Sequence, residues 1–480
     1  MQSSRKVLLI HPLGYDPSNA RGDIARVANL MPPLGLAGIA AYLEEHGVET
    51  ELIDCFAHPE NCDRKIREYV RREKPDYAGV SCTTSSFPDT VRLLEMIKSE
   101  RPQTQTVVGG PHVSALKTKI LEENPPVDYA VVGEGEETLR ELTENRGDPT
   151  GIEGLAHRQD GEVVFNGYRS ELLELDSLPF PAYEKLDGFP ELYQLPIFNY
   201  PTTPNSSCVS SRGCPYQCSY CDRSVFRRSF RYNSADYLYE HLKYMKSRWG
   251  IRHINFYDDQ FTLVRRRVEE FCRKMIDKPL GMTYNCAVRA EHVDPDLLKL
   301  MKASGCWMIS LGVETGAQEL LSRHRQNADV DRLARRIRQI KRAGIRVKAL
   351  LMIGLPGETE ETVRRSMEYV FSLPIDDFNL SKFTPFPGSP VYENIEEYGT
   401  FDEDYEKMDC MHFQFVPDGM TEDQLESLFQ LFYRSHFMRP KVLWGYFTML
   451  WESPDSWRRF GLHLKDFLSF AFSDERIRAR

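Results

Sequence analysis

The 480-residue sequence contains no hydrophobic run that is long enough to cross a membrane or to form the core of a signal peptide. The apolar run after Lys6 ends at Pro12, whereas a membrane span requires roughly 18 apolar residues. We therefore expect a cytoplasmic protein. Acidic residues outnumber basic ones, with 71 Asp and Glu against 61 Lys and Arg, so the formal net charge is -10. This balance argues against an extended nucleic-acid surface, which needs clustered Lys and Arg.

The cysteine pattern is not that of a secreted protein held by disulfides. The chain has 11 cysteines, an odd number, and most are scattered through segments with the patterns of strands and helices. We therefore expect reduced thiols. A tight group of cysteines within residues 214–221 is the exception and needs another explanation.

Residues 1–145 alternate short apolar runs with helical patterns. Five such strand-and-helix units predict a doubly wound, Rossmann-like, mostly parallel sheet, which binds ligands at the carboxyl ends of its strands. The predicted strands lie in KVLLIHP, VETELID, DYAGVSC, TVVGG and DYAVVGEG. This range is the first predicted domain.

Three further segments follow it. Residues 146–203 are rich in Pro, Asp and aromatic residues, which predicts a linker packed on its neighbours. Residues 204–400 contain six strand-and-helix units, which predict a full or partial (β/α)6 barrel of TIM type with catalytic groups at the strand ends. Residues 401–480 predict a helical C-terminal region that is unusually aromatic.

The sequence CPYQCSYC places Cys214, Cys218 and Cys221 in the pattern C-x3-C-x2-C, directly after the first predicted barrel strand. A zinc site normally has four ligands, often as two C-x2-C pairs, and the sequence has no second pair. Cys208 is a candidate fourth ligand, but its place in a predicted strand favours a core thiol. Three thiolates suit a [4Fe-4S] cluster with one iron left open. A structural zinc knuckle is the alternative.

This motif, with Tyr220 before its last cysteine, resembles the signature of the radical S-adenosylmethionine superfamily. Sequences similar to the superfamily's later landmarks follow in order over about residues 204–400. They are HINFYDDQFT, SLGVETG, MIGLPGET and FTPFPGSPVY, at the second, fourth, fifth and sixth barrel strands. The resemblance implies an enzyme in which a [4Fe-4S] cluster on the three cysteines cleaves S-adenosylmethionine reductively. Hydrogen is then abstracted from an unactivated substrate carbon, inside a barrel that excludes water.

The resemblance also implies contacts to S-adenosylmethionine. Glu314 is expected to accept hydrogen bonds from ribose hydroxyls, and Tyr220 to lie near the adenine. Asp258 and Asp259 occupy the region that binds the ammonium group, although the usual G-G-E is absent. Gly354 belongs to the fifth-strand motif.

The carboxylate of S-adenosylmethionine needs a positive partner. Arg289 and Lys348 follow from the third and fifth predicted strands, and one of them could meet it; solvated or barrel-filling roles are the alternatives. The sequence identifies no catalytic residue.

The first predicted domain has glycines in the loops after its strands, in PPLGL, VGGPH and VGEGEET. A dinucleotide fingerprint would place G-x-G-x-x-G after the first strand, so NAD is a poor fit. The arrangement resembles the cobalamin-binding domain that precedes the barrel in one large class of radical S-adenosylmethionine enzymes. The resemblance implies cobalamin contacts at Pro33, Leu34, Gly35, Thr83, Thr84, Ser85, Gly109, Gly110, Pro111, His112, Gly133, Glu134 and Gly135.

One departure concerns the lower face of cobalamin. Cobalamin domains of mutases and methionine synthase carry D-x-H-x-x-G after the first strand, and this histidine binds cobalt. The matching loop here, LGYDPSNARGD, contains no histidine, so the lower axial histidine is expected to be absent. His112 and His58 are expected to be polar contacts or surface residues rather than cobalt ligands.

The two implied cofactors together suggest a C-methyltransferase in which methylcobalamin donates the methyl group. The anaerobic cyclase of bacteriochlorophyll synthesis and an oxetane-forming ring-contraction enzyme share this layout, so cyclisation, ring contraction or rearrangement is the alternative. A non-enzymatic cobalamin and Fe-S sensor is an alternative of another class, although a sensor would not need the ribose-binding strand end. The expected partners are a small-molecule, lipid-like or tetrapyrrole-like substrate and an external electron donor of flavodoxin or ferredoxin type.

Residues 436–472 place many aromatic side chains among basic residues. A helical cap packed on the barrel is the simplest interpretation. The alternative is a hydrophobic lid or an interfacial surface with peripheral membrane contact, suited to a lipid-like or tetrapyrrole substrate. The aromatic residues are Trp444, Tyr446, Phe447, Trp451, Trp457, Phe460, Phe467, Phe470 and Phe472.

Overall fold

The computed structural model describes residues 5–14 and 30–465, and the first sheet of this structure has seven strands. They are β1 (Lys6–His11), β2 (Glu49–Asp54), β3 (Tyr77–Ser81), β4 (Gln105–Gly109), β5 (Tyr129–Val131), β6 (Leu155–Gln159) and β7 (Glu162–Phe165). The strand order is β2-β1-β3-β4-β5-β6-β7. The first five strands are parallel, and β6 and β7 extend the sheet with antiparallel pairing.

Helices cover both faces of this sheet. They are α1 (Leu34–Glu45), α2 (Cys62–Glu73), α3 (Phe87–Glu100), α4 (Pro111–Leu116), α5 (Thr118–Glu123) and α6 (Glu136–Glu144). Successive side chains of a strand point to opposite faces. Val7 and Leu9 of β1 therefore join one apolar core with α1 and α6, while Leu8 and Ile10 join another with α2 and α3. This confirms the predicted doubly wound sheet and explains why β1 is apolar throughout.

The second sheet is a partial barrel of six parallel strands. Its first strand, β8 (Asn205–Cys208), is followed by a short antiparallel ribbon of β9 (Ser211–Arg212) and β10 (Arg231–Tyr232). The other barrel strands are β11 (His253–Phe256), β12 (Thr283–Val288), β13 (Cys306–Glu314), β14 (Arg346–Ile353) and β15 (Asp377–Lys382). Neighbouring strands follow chain order, and β8 and β15 form the two edges. The predicted partial barrel is confirmed.

Helices connect the barrel strands and continue into the C-terminal region. The connecting helices are α7 (Ala235–Trp249), α8 (Arg265–Asp277), α9 (Pro295–Ala303), α10 (Gln318–His324), α11 (Val330–Arg342) and α12 (Glu360–Phe371). A second ribbon, β16 (Gly399–Phe401) and β17 (Phe415–Pro417), precedes α13 (Glu422–Phe437), α14 (Pro440–Glu452) and α15 (Pro454–Leu462). A capping box of Thr421 and Gln424 begins α13, and a proline at the first position begins each of α14 and α15. Phe467, Phe470 and Phe472 lie outside the described residues.

The strands β6 and β7 lie within the range that was predicted as a linker. Their antiparallel pairing with β5 and with each other makes them part of the first sheet. We therefore propose that the first domain extends to about Phe165. Lys117, which has a positive φ of 56°, separates the two short helices α4 and α5 after β4.

Two expectations drawn from the composition concern the whole molecule. All 11 cysteines lie within the described residues, and each is a free thiol, as expected for a reduced protein. Across residues 5–14 and 30–465, no helix combines the length and apolar character needed to span a bilayer.

Candidate active site between the two sheets

The carboxyl ends of the two sheets face a shared cavity of about 550 Å³. Its walls come from the loops of the first sheet, from the cysteine loop after β8 and from residues 175–181 of the linker. Much of the predicted site lines it: Leu34, Gly35, Gly109, Gly110, Pro111, Gly133, Glu134, Gly135, Cys214, Cys221 and Asp259. The fold thus brings the residues predicted for cobalamin and for the cluster to one space.

The ribbon of β9 and β10 closes the loop that carries the three cysteines. Gly213 begins this loop with φ +85°, and a Cβ there would overlap the carbonyl oxygen of Ser229, so the closure requires glycine. The backbone N–H of Cys221 donates to the carbonyl of Cys218 at 3.3 Å. All three thiols are partly exposed, and Cys214 and Cys221 line the cavity.

A buried cation accompanies the cysteines. Burial raises the pKa of Cys214, and burial with the neighbouring Cys218 raises the pKa of Cys221 to about 12. The guanidinium of Arg289 lies 3.9 Å from Sγ of Cys218, and its carbon is 3.8 Å from the ring centroid of Tyr216. A positive charge in this position favours the thiolate form that metal binding requires.

The donor set fits the predicted cluster. In the part of the chain that the structure describes, no three His, Cys, Asp or Glu side chains are placed to hold a single metal ion. Thiolates on a [4Fe-4S] cluster have a different arrangement, since each binds its own iron. The three thiols with the adjacent Arg289 therefore suit a cluster.

Glu314 ends β13 in a left-handed backbone conformation, with φ +63°. The pairing register shifts between Gly312 and Glu314, as at a β-bulge. The carboxylate lies 3.5 Å from Arg325, and Tyr220 is a neighbour that lowers its pKa. Burial raises the pKa of Glu314, and Arg325 partly opposes this rise. Tyr220 and Glu314, which belong to separate motifs, are thus in contact behind the cysteine loop, outside the lining of the shared cavity.

Asp258 and Asp259 have different surroundings. Asp258 is buried and accepts hydrogen bonds from the backbone and hydroxyl of Ser210, each at 2.6 Å, and from the hydroxyl of Ser211 at 2.8 Å. Asp259 lines the cavity, and burial and the charge of Asp258 raise its pKa. The structure therefore brings Asp259, and not Asp258, to the site.

Gly354 begins the loop after β14 with φ +90°. Its backbone N–H and that of Leu355 donate to the buried carboxyl of Glu358, the second at 3.2 Å. A Cβ on Gly354 would press on the ring of Phe413. Burial raises the pKa of Glu358 to about 8. Glu358 lies within the MIGLPGET motif without having been predicted as a site residue, and it fixes the shape of this loop.

We expect the Glu358→Gln variant to be more stable than the parent at pH 8 and to lose this advantage toward pH 5. The carboxyl has a pKa of about 8 in the folded protein, whereas the ordinary value is 4.5. Between these values mainly the unfolded chain is ionised, so the parent loses stability as the pH rises, by at most about 1.4 kcal/mol per pH unit. Urea unfolding of both proteins at several pH values measures the effect.

Glu360→Gln is the matched control. Glu360 is half exposed in the first turn of α12 and pairs with Arg364 at 2.7 Å. Its replacement should change stability by a similar small amount at each pH. Parallel stability profiles for the parent and Glu358→Gln would contradict the assignment of a neutral, buried carboxyl.

Glycines form the wall of the cavity beside the first sheet. Gly35 and Gly38 line the cavity from α1, and no atom lies within 4 Å of the place where a Cβ would stand on either. A side chain at either position would therefore enter the cavity. Glycines in such a place permit close approach of a bulky ligand, so this wall fits the predicted cobalamin.

A second cavity, of about 350 Å³, adjoins the first. Pro33, Thr83 and Ser85 line it, and Gly35 and Pro111 line both cavities. These predicted cobalamin residues thus lie next to the shared cavity rather than in it.

His112 and Thr84 line neither cavity. The ring of His112 is buried between Phe87 and Tyr405, and its Nδ1 lies 3.3 Å from the Thr84 hydroxyl. Burial lowers the pKa of His112 to about 4, so the ring is neutral. The structure therefore does not bring these two residues to the predicted ligand. The loop without a histidine, residues 13–23, lies mostly outside the described residues.

Glu134 connects the two sheets. Its carboxylate pairs with Arg212 and Arg231 of the β9–β10 ribbon, and Arg212 also donates to Glu136 at 2.6 Å. Burial alone would raise the pKa of Glu136, but Arg212 outweighs it and the pKa is lowered. We call these four residues the ionic latch. The Glu134 carboxylate, which was predicted to contact cobalamin, thus forms ion pairs with the β9–β10 ribbon.

Two family models match the chain. The B12 binding domain matches residues 20–143, and the Radical SAM superfamily matches residues 208–370.

The chain is a radical S-adenosylmethionine enzyme with a B12-binding domain. The family matches confirm the predicted cofactors, a [4Fe-4S] cluster, S-adenosylmethionine and cobalamin.

This radical S-adenosylmethionine enzyme is 29% identical over 457 residues to an uncharacterized methyltransferase of Pyrococcus horikoshii. The alignment covers 91% of this chain and 94% of the relative. It is 27% identical to the anaerobic magnesium-protoporphyrin IX monomethyl ester cyclase of Rubrivivax gelatinosus, over 92% of this chain and 79% of the relative. The radical S-adenosylmethionine methyltransferase TsrM of Kitasatospora setae, solved with tryptophan and a cosubstrate analogue, aligns with a TM-score of 0.66 at 21% identity. This alignment covers 82% of this chain and 76% of TsrM, and it shows the fold.

Of the two cations considered for S-adenosylmethionine, only Arg289 of this radical S-adenosylmethionine enzyme contacts a cysteine of the motif. Lys348 donates to Asn199 at 2.8 Å and lies 3.4 Å from Asp377, so it fills the barrel. His11 was not predicted as a site residue, but it lines the second cavity with its Nδ1 2.9 Å from Asp54. No local pattern pointed to it, because its partner stands at the end of another strand.

Proposed function

We propose that this radical S-adenosylmethionine enzyme is a C-methyltransferase that acts on an sp3 carbon. The shared cavity is the observation that supports the proposal. Gly35 and Gly38, which would hold cobalamin, line the same space as Cys214 and Cys221, which would hold the cluster. Residues for a methyl donor and residues for hydrogen abstraction would thus face one substrate.

When bound, the cluster and S-adenosylmethionine supply hydrogen abstraction, and methylcobalamin supplies the methyl group. The residues of the chain bind, orient and shield these groups. Cys214, Cys218 and Cys221 would each hold one iron, and Arg289 offsets the negative charge that they bring. Glu314, buried at the end of β13, would accept hydrogen bonds from the ribose hydroxyls.

Three further residues would complete the cosubstrate site. Tyr220 is partly buried beside Glu314 and against the apolar cluster of Leu355, which suits a residue beside an adenine ring. Asp259, partly desolvated at the cavity, would accept from the ammonium group. The positive φ of Gly354 turns the loop after β14 without a side chain in the way.

The linker and the barrel strand ends supply the space for a substrate. Leu175 and Leu178 of the linker, Val209 after β8 and Tyr257 after β11 give the cavity an apolar wall. We propose a small-molecule, lipid-like or tetrapyrrole-like substrate with an apolar body. An external protein of flavodoxin or ferredoxin type would donate the electron.

Anaerobic turnover with methyl-labelled S-adenosylmethionine tests the proposal. The reconstituted protein is incubated with dithionite and fractionated lipid and pigment extracts, and the products are measured by mass spectrometry. We expect a labelled product together with S-adenosylhomocysteine and 5'-deoxyadenosine. Unlabelled product with 5'-deoxyadenosine alone would favour cyclisation or rearrangement, the second candidate, which the cyclase relative supports over 92% of this chain. Failure to cleave S-adenosylmethionine with a full cluster would contradict both candidates.

A variant pair separates the role of cobalamin from that of the cluster. Gly38→Leu places a side chain in the cavity and should lower cobalamin affinity and methyl transfer at least about tenfold, while the cluster remains. Gly461→Leu is the control, since Gly461 is also helical with open space around its Cβ position but does not line the cavity. Equal cobalamin binding by the two variants would place cobalamin elsewhere.

A further inference from the structure

Helix α14 has two apolar faces with different surroundings. On the inner face, the ring of Tyr446 lies 5.0 Å from that of Phe198, and its hydroxyl donates to Asp377 at 2.9 Å. Val442 and Met449 are buried on the same side. This face packs on the barrel and the linker.

The outer face of α14 is a continuous apolar stripe that the other described residues leave exposed. Trp444, Phe447 and Trp451 are 65%, 44% and 71% exposed, and successive rings in this series are 5.4 and 5.3 Å apart. Leu443 and Leu450 are exposed beside them. These five residues, which we call the α14 stripe, are neighbours on one side of the helix. Soluble proteins seldom expose a contiguous apolar surface of this kind without a binding partner.

The region around the α14 stripe is basic, although the chain is acidic. Residues 434–465 contain six Lys or Arg and two Asp or Glu, a formal charge of +4 compared with -10 for the whole chain. Arg434 and Lys441 are exposed and form no ion pair with residues of the described ranges. Helices that lie in a membrane interface combine Trp, Phe and Leu on one face with flanking Lys and Arg.

We propose that the α14 stripe docks this protein on an anionic lipid surface, with α14 lying along the headgroup layer. The stripe would enter the boundary of the acyl chains, where the amphipathic indole ring is favoured. Arg434 and Lys441 would meet the lipid phosphates. The 13 residues of α14 extend about 20 Å, which suits a helix on the surface rather than across it.

A second copy of the chain is a poorer occupant of the same surface. A two-fold interface places the same patch on both subunits. Two regions of charge +4 would then face each other, and like charges across an interface oppose association. An anionic bilayer complements both the charge and the aromatic composition. The inference concerns the surface of α14 and does not depend on which reaction the enzyme performs.

Vesicle flotation of the full-length protein tests the proposal. Vesicles of phosphatidylcholine alone are compared with vesicles that contain roughly one third phosphatidylglycerol. We expect binding to the anionic vesicles and weaker binding as salt is raised. Brominated lipids should quench the fluorescence of Trp444 and Trp451 in the bound protein.

Replacement of the stripe should remove the binding. The triple variant Trp444→Ser, Phe447→Ser, Trp451→Ser is expected to lose at least about tenfold in vesicle partitioning, because its apolar area no longer enters the lipid. Its cobalamin binding and unfolding midpoint check that the fold is intact. The control triple variant, Leu172→Ser, Leu192→Ser, Ile276→Ser, removes similarly exposed apolar side chains elsewhere and should bind vesicles like the parent. Lys441→Gln should weaken binding to anionic vesicles about fivefold.

Three outcomes would overturn the inference. The first is a parent protein that binds neither kind of vesicle. The second is a loss of binding in the control variant equal to that in the stripe variant. The third is a dimer in sedimentation velocity that the stripe variant abolishes, in the absence of vesicle binding, since the α14 stripe would then be a self-association surface.

Discussion

The Cys218→Ala variant is expected to lose the iron–sulfur cluster and to make no detectable 5'-deoxyadenosine, a loss of at least about 100-fold in cleavage. Two thiolates cannot hold three irons of a cluster, and Arg289 would lose its contact at 3.9 Å with Sγ of Cys218 while keeping Glu291 at 3.4 Å. Cys214→Ala and Cys221→Ala should behave in the same way. Cobalamin binding should be largely unchanged, because Gly35 and Gly38 line the cavity from helix α1 of the first domain.

Iron and sulfide content, the visible absorbance of the cluster and 5'-deoxyadenosine formation measure this effect. Cys208→Ala is the matched control: it removes a buried thiol of β8, 3.5 Å from Nδ1 of His241, and should keep the cluster and the activity. If any of the three motif variants still cleaved S-adenosylmethionine, the assignment of the cluster ligands would be wrong.

The Glu134→Gln variant is expected to have a free energy of unfolding about 3 kcal/mol lower than the parent, because it weakens the contact between the first domain and the β9–β10 ribbon. Glu134 is the shared partner of Arg212 and Arg231, and its side chain is only 11% exposed. Neutralising it leaves two partly buried guanidinium groups next to each other, with Glu136 as the remaining anion of the ionic latch. Cobalamin affinity should fall as well, since Glu134 lines the shared cavity.

Calorimetry and limited proteolysis of the parent and the variant show whether the first sheet separates from the barrel at a lower temperature. Glu144→Gln is a suitable control, because Glu144 is half exposed and pairs only with Arg140 on its own helix among the ion pairs of the described residues. A surface pair of this kind contributes about 0–1 kcal/mol. An unchanged unfolding profile for Glu134→Gln would mean that the ionic latch does not hold the junction.

The layout of both sheets could be predicted from the sequence because it follows from local hydrophobic patterns. The three cluster cysteines could also be predicted from the sequence, because all three lie within one short loop at a spacing typical of metal ligands. The hairpin of β6 and β7 was missed although QDGE carries a signal for it: Asp160 and Gly161 both have positive φ in the turn. The Pro- and aromatic-rich composition around it favoured a linker instead.

The orientation of neighbouring side chains could not be predicted. Asp258 and Asp259 follow the same strand, and consecutive residues face opposite ways, so the sequence does not show which one reaches the cavity. Pro111 and His112 are also neighbours, in the first turn of α4, and the sequence does not show that Pro111 lines the cavity whereas His112 does not. Glu134 was assigned to the ligand because its partners, Arg212 and Arg231, are far away in the sequence and belong to the β9–β10 ribbon.

At Glu314 the backbone conformation lowers the stability of the fold, whereas the side chain is proposed to bind the cosubstrate. A non-glycine residue with φ +63° keeps a conformational cost of about 1–2 kcal/mol in the folded protein. Glycine would remove that cost and also the carboxylate proposed for the ribose. Selection for a more robust fold alone would therefore favour loss of this side chain, and stabilised homologues or consensus designs that change it would be expected to trade activity for a higher melting temperature.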